Sequence, residues 1–92
     1  MFNNREYQYN NIITNTTTQI ATGRGTLQAI TVNTTAAGTI KIIDDIAGTT
    51  ANIGTLQASI LPGTYFFNTV FSKGLRIVTA AASDITVSYT QG

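Results

Sequence analysis

The last stretch of the chain sets the pattern. From Asp84 to Thr90, apolar Ile85, Val87 and Tyr89 alternate with Thr86, Ser88 and Thr90. A two-residue period is that of a strand with one face buried and one face wet. Thr39 to Asp44 repeats it, with Ile40 and Ile42 on one side and Lys41 between them facing out. Leu75 to Thr79 reads as a short strand. Ala51 to Ile60 reads as another, with Leu56, Ala58 and Ile60 alternating. Thr26 to Asn33 carries Leu27, Ile30 and Val32, whose phase slips after Leu27, so the pattern predicts a bulge there. Ile12 to Ala21 is β-rich but has Thr and Asn on both faces, which suits an edge strand or one covered by another subunit.

Tyr65 to Phe71 is the aromatic strand. Tyr65, Phe67 and Phe71 fall on one face, and Phe66 and Val70 on the other. Two apolar faces imply cover on both sides. The domain core supplies one; a second sheet or a neighbouring subunit must supply the other. Turn signals separate these runs: Thr22-Gly23-Arg24-Gly25, Thr34 to Gly38, Asp44 to Thr50, Ser72-Lys73-Gly74 and Ala80 to Ser83. Leu61-Pro62-Gly63 is the strongest, since proline presets φ and glycine is permissive. Gly-Thr-Leu-Gln-Ala occurs at both 25–29 and 54–58, which marks two strands that start alike after a glycine turn. The expectation is an all-β fold: a single small antiparallel β-sandwich or jelly-roll-like barrel of about seven strands.

The first residues differ. Met1 to Asn11 is polar, aromatic and rich in asparagine without a clear period. It reads as an extended N-terminal arm preceding a sandwich domain over residues 12–92. The alternating Tyr7 and Tyr9 want a surface to lie on. Met1 to Glu6 has no apolar run, so no signal peptide is expected. No stretch is long and apolar enough for a membrane-spanning helix.

Composition narrows the chemistry. The chain has 92 residues, the size of one domain, and no cysteine or histidine. Disulfides and thiolate metal sites are excluded, and with them the commonest general base and imidazole metal ligand. A domain this small usually needs reinforcement, which leaves self-association. Only 10% of the residues are charged and the net charge is +1. Such a surface protects poorly against association and suits a subunit packed among neighbours.

Serine has no histidine partner, so no Ser-His-Asp relay can form within the chain. Asp44 and Asp45 would point to opposite faces of a strand, and nothing nearby completes the six or more oxygens of a calcium site, so both are expected to cap turns. Asp84 is expected to make a local Asx turn. Arg5, Arg24, Lys41, Lys73 and Arg76 are dispersed and offset by four acids, which argues against nucleic-acid binding. Lys41 and Lys73 take strand-face and turn positions typical of solvated residues. No catalytic, cofactor or metal residues are expected.

Two stretches carry a resemblance. Gly25 to Asn33 (GTLQAITVN) is followed by Gly38 to Asp44 (GTIKIID), and Phe71 to Thr79 (FSKGLRIVT) by Asp84 to Tyr89 (DITVSY). Together they resemble small virion structural proteins of tailed bacteriophages, over roughly Gly25 to Tyr89. The resemblance implies a β-sandwich on the particle, as a head decoration (cement) subunit or a fibre-base subunit. It brings no catalytic residues and does not reach the arm.

The expected function is non-enzymatic: a capsid decoration protein, made in the host cytoplasm and carried on the virion surface. Its expected partners are the major capsid protein and further copies of itself, for instance as a trimer, with no nucleic acid and no membrane. The alternative is a tail or fibre component that contacts host-surface glycans. The expected contact residues are Phe2, Arg5, Tyr7, Tyr9, Phe66 and Val70.

Overall fold

The computed structural model describes residues 7–35, 37–50 and 53–91. Eight strands form among them: β1 Gln8–Ile12, β2 Thr17–Thr22, β3 Gly25–Thr34, β4 Ile40–Asp44, β5 Gly54–Leu56, β6 Gly63–Phe71, β7 Gly74–Thr79 and β8 Asp84–Gln91. They build two four-stranded sheets, ordered β1-β8-β3-β6 and β2-β7-β4-β5, with every pairing antiparallel. We call these sheet A and sheet B. No helix occurs among the described residues. The two-sheet, all-β architecture matches the expectation, with one strand more than the seven anticipated.

The extra strand comes from the N-terminus. The break expected after Asn11 falls inside β1, whose residues pair in register with β8 from Gln8↔Tyr89 to Ile12↔Ile85. Residues 8–11 of the expected arm are therefore sheet; residues 1–6 lie outside the described residues. The run Ile12 to Ala21 also splits. Ile12 closes β1 in sheet A, residues 13–16 cross between the sheets, and β2 becomes an edge strand of sheet B. Thr79 holds that crossing. Its buried hydroxyl donates to the Thr14 carbonyl (2.6 Å) and accepts from the Thr16 amide (3.0 Å).

A second correction concerns Ala51 to Ile60. Among the described residues Gly54–Leu56 pairs with β4, extended by the Ile53 amide on the Ile42 carbonyl, and the chain then turns at Gln57–Ile60, where the Ile60 amide reaches the Gln57 carbonyl and Ser59 takes φ 60°. The hydrogen-bonded turn precedes Pro62, where the chain bends again into β6 with Gly63 at φ 153°. The alternation of Leu56, Ala58 and Ile60 misleads because Ala58 is exposed. The repeated pentapeptide behaves alike only for three residues: Gly25 and Gly54 each start a strand and Leu27 and Leu56 are each buried. After that β3 bulges while β5 ends.

The predicted bulge is present. Pairing of β3 shifts between Leu27 and Ala29 against both β6 and β8. On β6 the extra residue is Asn68, at φ 48°, a left-handed conformation that asparagine tolerates better than most residues.

The core lies between the inner faces. Ile12, Leu27, Ile30, Val32, Phe71, Ile85, Val87 and Tyr89 come from sheet A; Ala21, Ile40, Ile42, Leu56, Leu75 and Ile77 come from sheet B. Tyr65 and Phe67 pack against it as half-buried members. Burying each of the large aliphatic side chains contributes about 1.5–3 kcal/mol relative to exposure. Phe71 is wholly buried at the end of β6 and lies against Gly25, where an added Cβ would stand 2.5 Å from the ring Cζ and 2.3 Å from the Thr90 carbonyl oxygen. Glycine is thus required here by space, not by φ. Gly25→Ala is expected to lower stability by at least about 2 kcal/mol, because both ring and backbone must shift. Chemical denaturation measures it; a loss below about 0.5 kcal/mol, the range of an ordinary surface change, would show that the contact is dispensable.

Candidate functional site

The outer face of sheet A gathers the unusual surface. Residues directly opposite one another on neighbouring strands share a face, so the register defines its rows. One row runs Tyr9, Ser88, Ala29, Phe66 across β1, β8, β3 and β6. A second runs Asn11, Thr86, Thr31, Thr64, with the Thr31 and Thr64 hydroxyls 3.1 Å apart. A third runs Thr90, Thr26, Val70. Alternation along the chain puts Tyr7 on the same side as Tyr9.

Four of the six expected contact residues therefore meet on one face. Tyr7, Tyr9, Phe66 and Val70 are 56%, 75%, 67% and 51% exposed, which is far from the burial usual for such side chains. Phe2 and Arg5 lie outside the described residues. The aromatic strand resolves as its alternation implied: Tyr65, Phe67 and Phe71 pack inward, while Phe66 and Val70 stand on the outer face uncovered by the chain itself. The tyrosines and Phe66 occupy opposite edges. Tyr9 and Phe66 are three strand spacings apart, about 14 Å, with a carpet of hydroxyls between them.

The face is almost free of charge. Among its described residues only Asp84 is ionisable in the acid range, and it is tied down. Asp84 Oδ1 accepts from the Asn11 amide (2.8 Å) and the Asn33 amide (3.2 Å), which also reach Thr86 Oγ1. Asn11 donates further to the Ile85 carbonyl (2.9 Å). This replaces the local Asx turn expected for Asp84. Its strand is central, flanked by β1 and β3, so side chains from both neighbours reach the carboxylate before its own backbone can. The network escaped the sequence reading. Its one available signal was asparagine inside strands, at Asn11 and Asn33, where that residue is disfavoured. Thr90 keeps the predicted outward side but is not wet: it is 2% exposed, and its hydroxyl has no hydrogen-bond partner among the described residues.

Polar groups at the strand ends and on sheet B bond within the chain. Asp44, at the end of β4, caps the neighbouring β6–β7 turn as expected of a turn-capping carboxylate. It accepts from the amides of Ser72 (3.0 Å), Lys73 (2.8 Å) and Gly74 (3.3 Å) and from the Ser72 hydroxyl (3.3 Å). Burial alone would raise its pKa, but these donors outweigh it and hold the carboxyl below the ordinary 3.8. Asp45 caps its own following amide, that of Ile46 (2.7 Å). On the outer face of sheet B, Arg76 donates to Gln19 Oε1 (2.8 Å) and the Ile46 carbonyl (3.3 Å), and the Gln19 amide reaches the Asp45 carbonyl (3.0 Å). These contacts pin residues 45–46 near buried Ile43, which faces Arg76 in the register. Lys41 and Lys73 are solvated. No group of three or more acidic side chains suited to a metal ion occurs among the described residues.

Asp44→Asn keeps the shape but removes the charge that strengthens these bonds. It is expected to cost about 1–2 kcal/mol at neutral pH. Because folding lowers this pKa, the unfolded chain binds the proton more readily in acid. The charge-dependent contribution is complete above 3.8 and is lost as pH falls through the lower folded value. Parent and variant should therefore converge in stability below that range, which denaturation at a series of pH values measures. A difference that persists undiminished in strong acid would remove the charge from the explanation.

Searches against family models, curated proteins and solved structures gave no match, so the face stands on its geometry alone.

Proposed function

We propose that this chain is a non-enzymatic assembling subunit, and specifically a decoration (cement) protein on the head of a tailed bacteriophage. The carrying observation is the outer face of sheet A, where Tyr7, Tyr9, Phe66 and Val70 stand exposed on a hydroxyl-rich and nearly uncharged surface. Large exposed side chains gathered on one face mark an interaction site. Aromatic anchors with few charges are the composition of an interface core.

The strand order supports a jelly-roll reading. Each strand of the first half lies beside its mirror in the second: β1 by β8, β2 by β7, β3 by β6, β4 by β5. Jelly rolls occur in viral capsid and lectin domains, and such a fold hosts many functions. The likeness of Gly25 to Tyr89 to phage virion proteins directs the choice towards the particle.

The mechanism is burial rather than chemistry. The chain binds the assembled shell across neighbouring capsid subunits and has nothing to bind when they are apart. Binding confined to one state stabilises that state by mass action. Tyr9 and Phe66, at opposite edges, suit a contact shared by two such subunits. The same exposed aromatics support a second reading, a tail or fibre component that stacks host glycans on Tyr9 or Phe66.

An antibody against the chain, applied to intact particles and followed by image reconstruction, distinguishes the readings. Label over heads is expected. Label confined to tails, with the purified chain retained on a host-glycan array, supports the fibre reading; particles devoid of the chain overturn both. The variant Phe66→Asp should fold normally by circular dichroism, since its side chain is already 67% exposed. It is expected to weaken shell binding at least tenfold in a co-sedimentation assay.

A further inference from the structure

The free edge of β6 is unlike the other sheet edges. Among the described residues β6 pairs only with β3, so one flank of Gly63–Phe71 presents unpaired amides and carbonyls. Proteins guard such an edge with charged side chains, proline, a bulge or a very short strand. Of these β6 has only the bulge at Asn68: it is nine residues long and carries no charge and no proline. It also carries Phe66 and Val70, both exposed, four positions apart on the same face. The remaining edges differ. β5 is three residues long, β2 bears no exposed large apolar side chain, and β1 bears only Tyr9.

We propose that two copies of this chain pair along β6 about a two-fold axis, joining their sheets into one eight-stranded antiparallel sheet. A two-fold contact is self-complementary: residue i meets residue j, and j meets i. With the axis at Asn68, Phe66 of each copy lies opposite Val70 of the other, and Tyr65 lies opposite Phe71. Both exposed apolar side chains then flank one another across the seam by one operation, with their outward tips still on the open face. The bulge at Asn68 sits on the axis, so the regular ladder forms on its two flanks. The two outer faces become one continuous surface, with the Phe66–Val70 pairs at its centre and the tyrosines of both copies at its far ends. This deepens the assembling-subunit reading and makes the building block a dimer, where a trimer was one expectation from the sequence.

The absence of cysteine makes the register directly testable. Positions 66 and 70 within one chain are about 13 Å apart along the strand, too far for a disulfide. Under this register they face each other between copies, whereas 66 does not face 66, nor 70 face 70. The double variant F66C/V70C is expected to give a covalent dimer under mild oxidation. F66C alone, V70C alone and the more exposed Y9C should give only the background of chance collision. The parent should sediment as a dimer, and V70K, which places a charge on the edge, should sediment as a monomer with an unchanged circular dichroism spectrum.

A double variant no more crosslinked than Y9C overturns the register. A parent that stays monomeric at millimolar concentration overturns the pairing. Both measurements use the isolated chain without shells, so their failure leaves head binding untouched, and loss of head binding would leave them untouched in turn.

Discussion

Apolar side chains at alternate positions of β3, β7 and β8 leave water only if two sheets face each other, and the rest of the molecule follows from that constraint. No strand here is stable alone, and no sheet is stable with its apolar face bare. The inner rows Leu27, Ile30, Val32 and Ile85, Val87, Tyr89 meet Leu75, Ile77 and Ile40, Ile42 from the opposite sheet. Phe71 fills the end of this layer only because Gly25 has no side chain. Every connection except β4–β5, which stays within sheet B, then has to carry the chain over an end of the sandwich, and polar groups there hold crossings: Thr79 at residues 14–16, Asp44 at the β6–β7 turn.

The same constraint produces the candidate interaction surface. A period of two that fills the inside must expose the intervening residues, and in most strands those are threonine, serine or asparagine. In β6 and at the start of β1 they are aromatic or aliphatic. Core packing cannot account for Phe66 and Val70, whose neighbours Tyr65, Phe67 and Phe71 already supply the core, nor for Tyr9, which stands 75% exposed on the outer face. Folding itself gains little from keeping them apolar, so a reason is to be sought in contacts beyond the chain. The Asn11–Asp84–Asn33 network complements this. It satisfies the one carboxylate on the face with neutral amides and fastens edge strand β1 to the centre of the sheet.

Much of this was legible in the residue order, and the reason is local. Strand periodicity, the bulge after Leu27, the inward and outward faces of Tyr65 to Phe71 and the lack of histidine and cysteine all depend on near neighbours or on composition alone. Tyr7, Tyr9, Phe66 and Val70 could be picked as candidate contacts, the tyrosines as an alternating aromatic pair and Phe66 and Val70 as the second apolar face of their strand. What the order of residues left open depends on partners far along the chain. Asn11 looked like part of a loose arm because its partners, Asp84 to Thr86, lie more than seventy positions away. Among the described residues the strand expected over Ala51 to Ile60 is three residues long, because the chain turns at Gln57–Ile60 instead of continuing beside β4. Above all, only the tertiary structure could bring Tyr9 and Phe66 onto one surface. That juxtaposition rests on the register of three strand pairs, and backbone hydrogen bonds across a sheet leave no mark in local sequence.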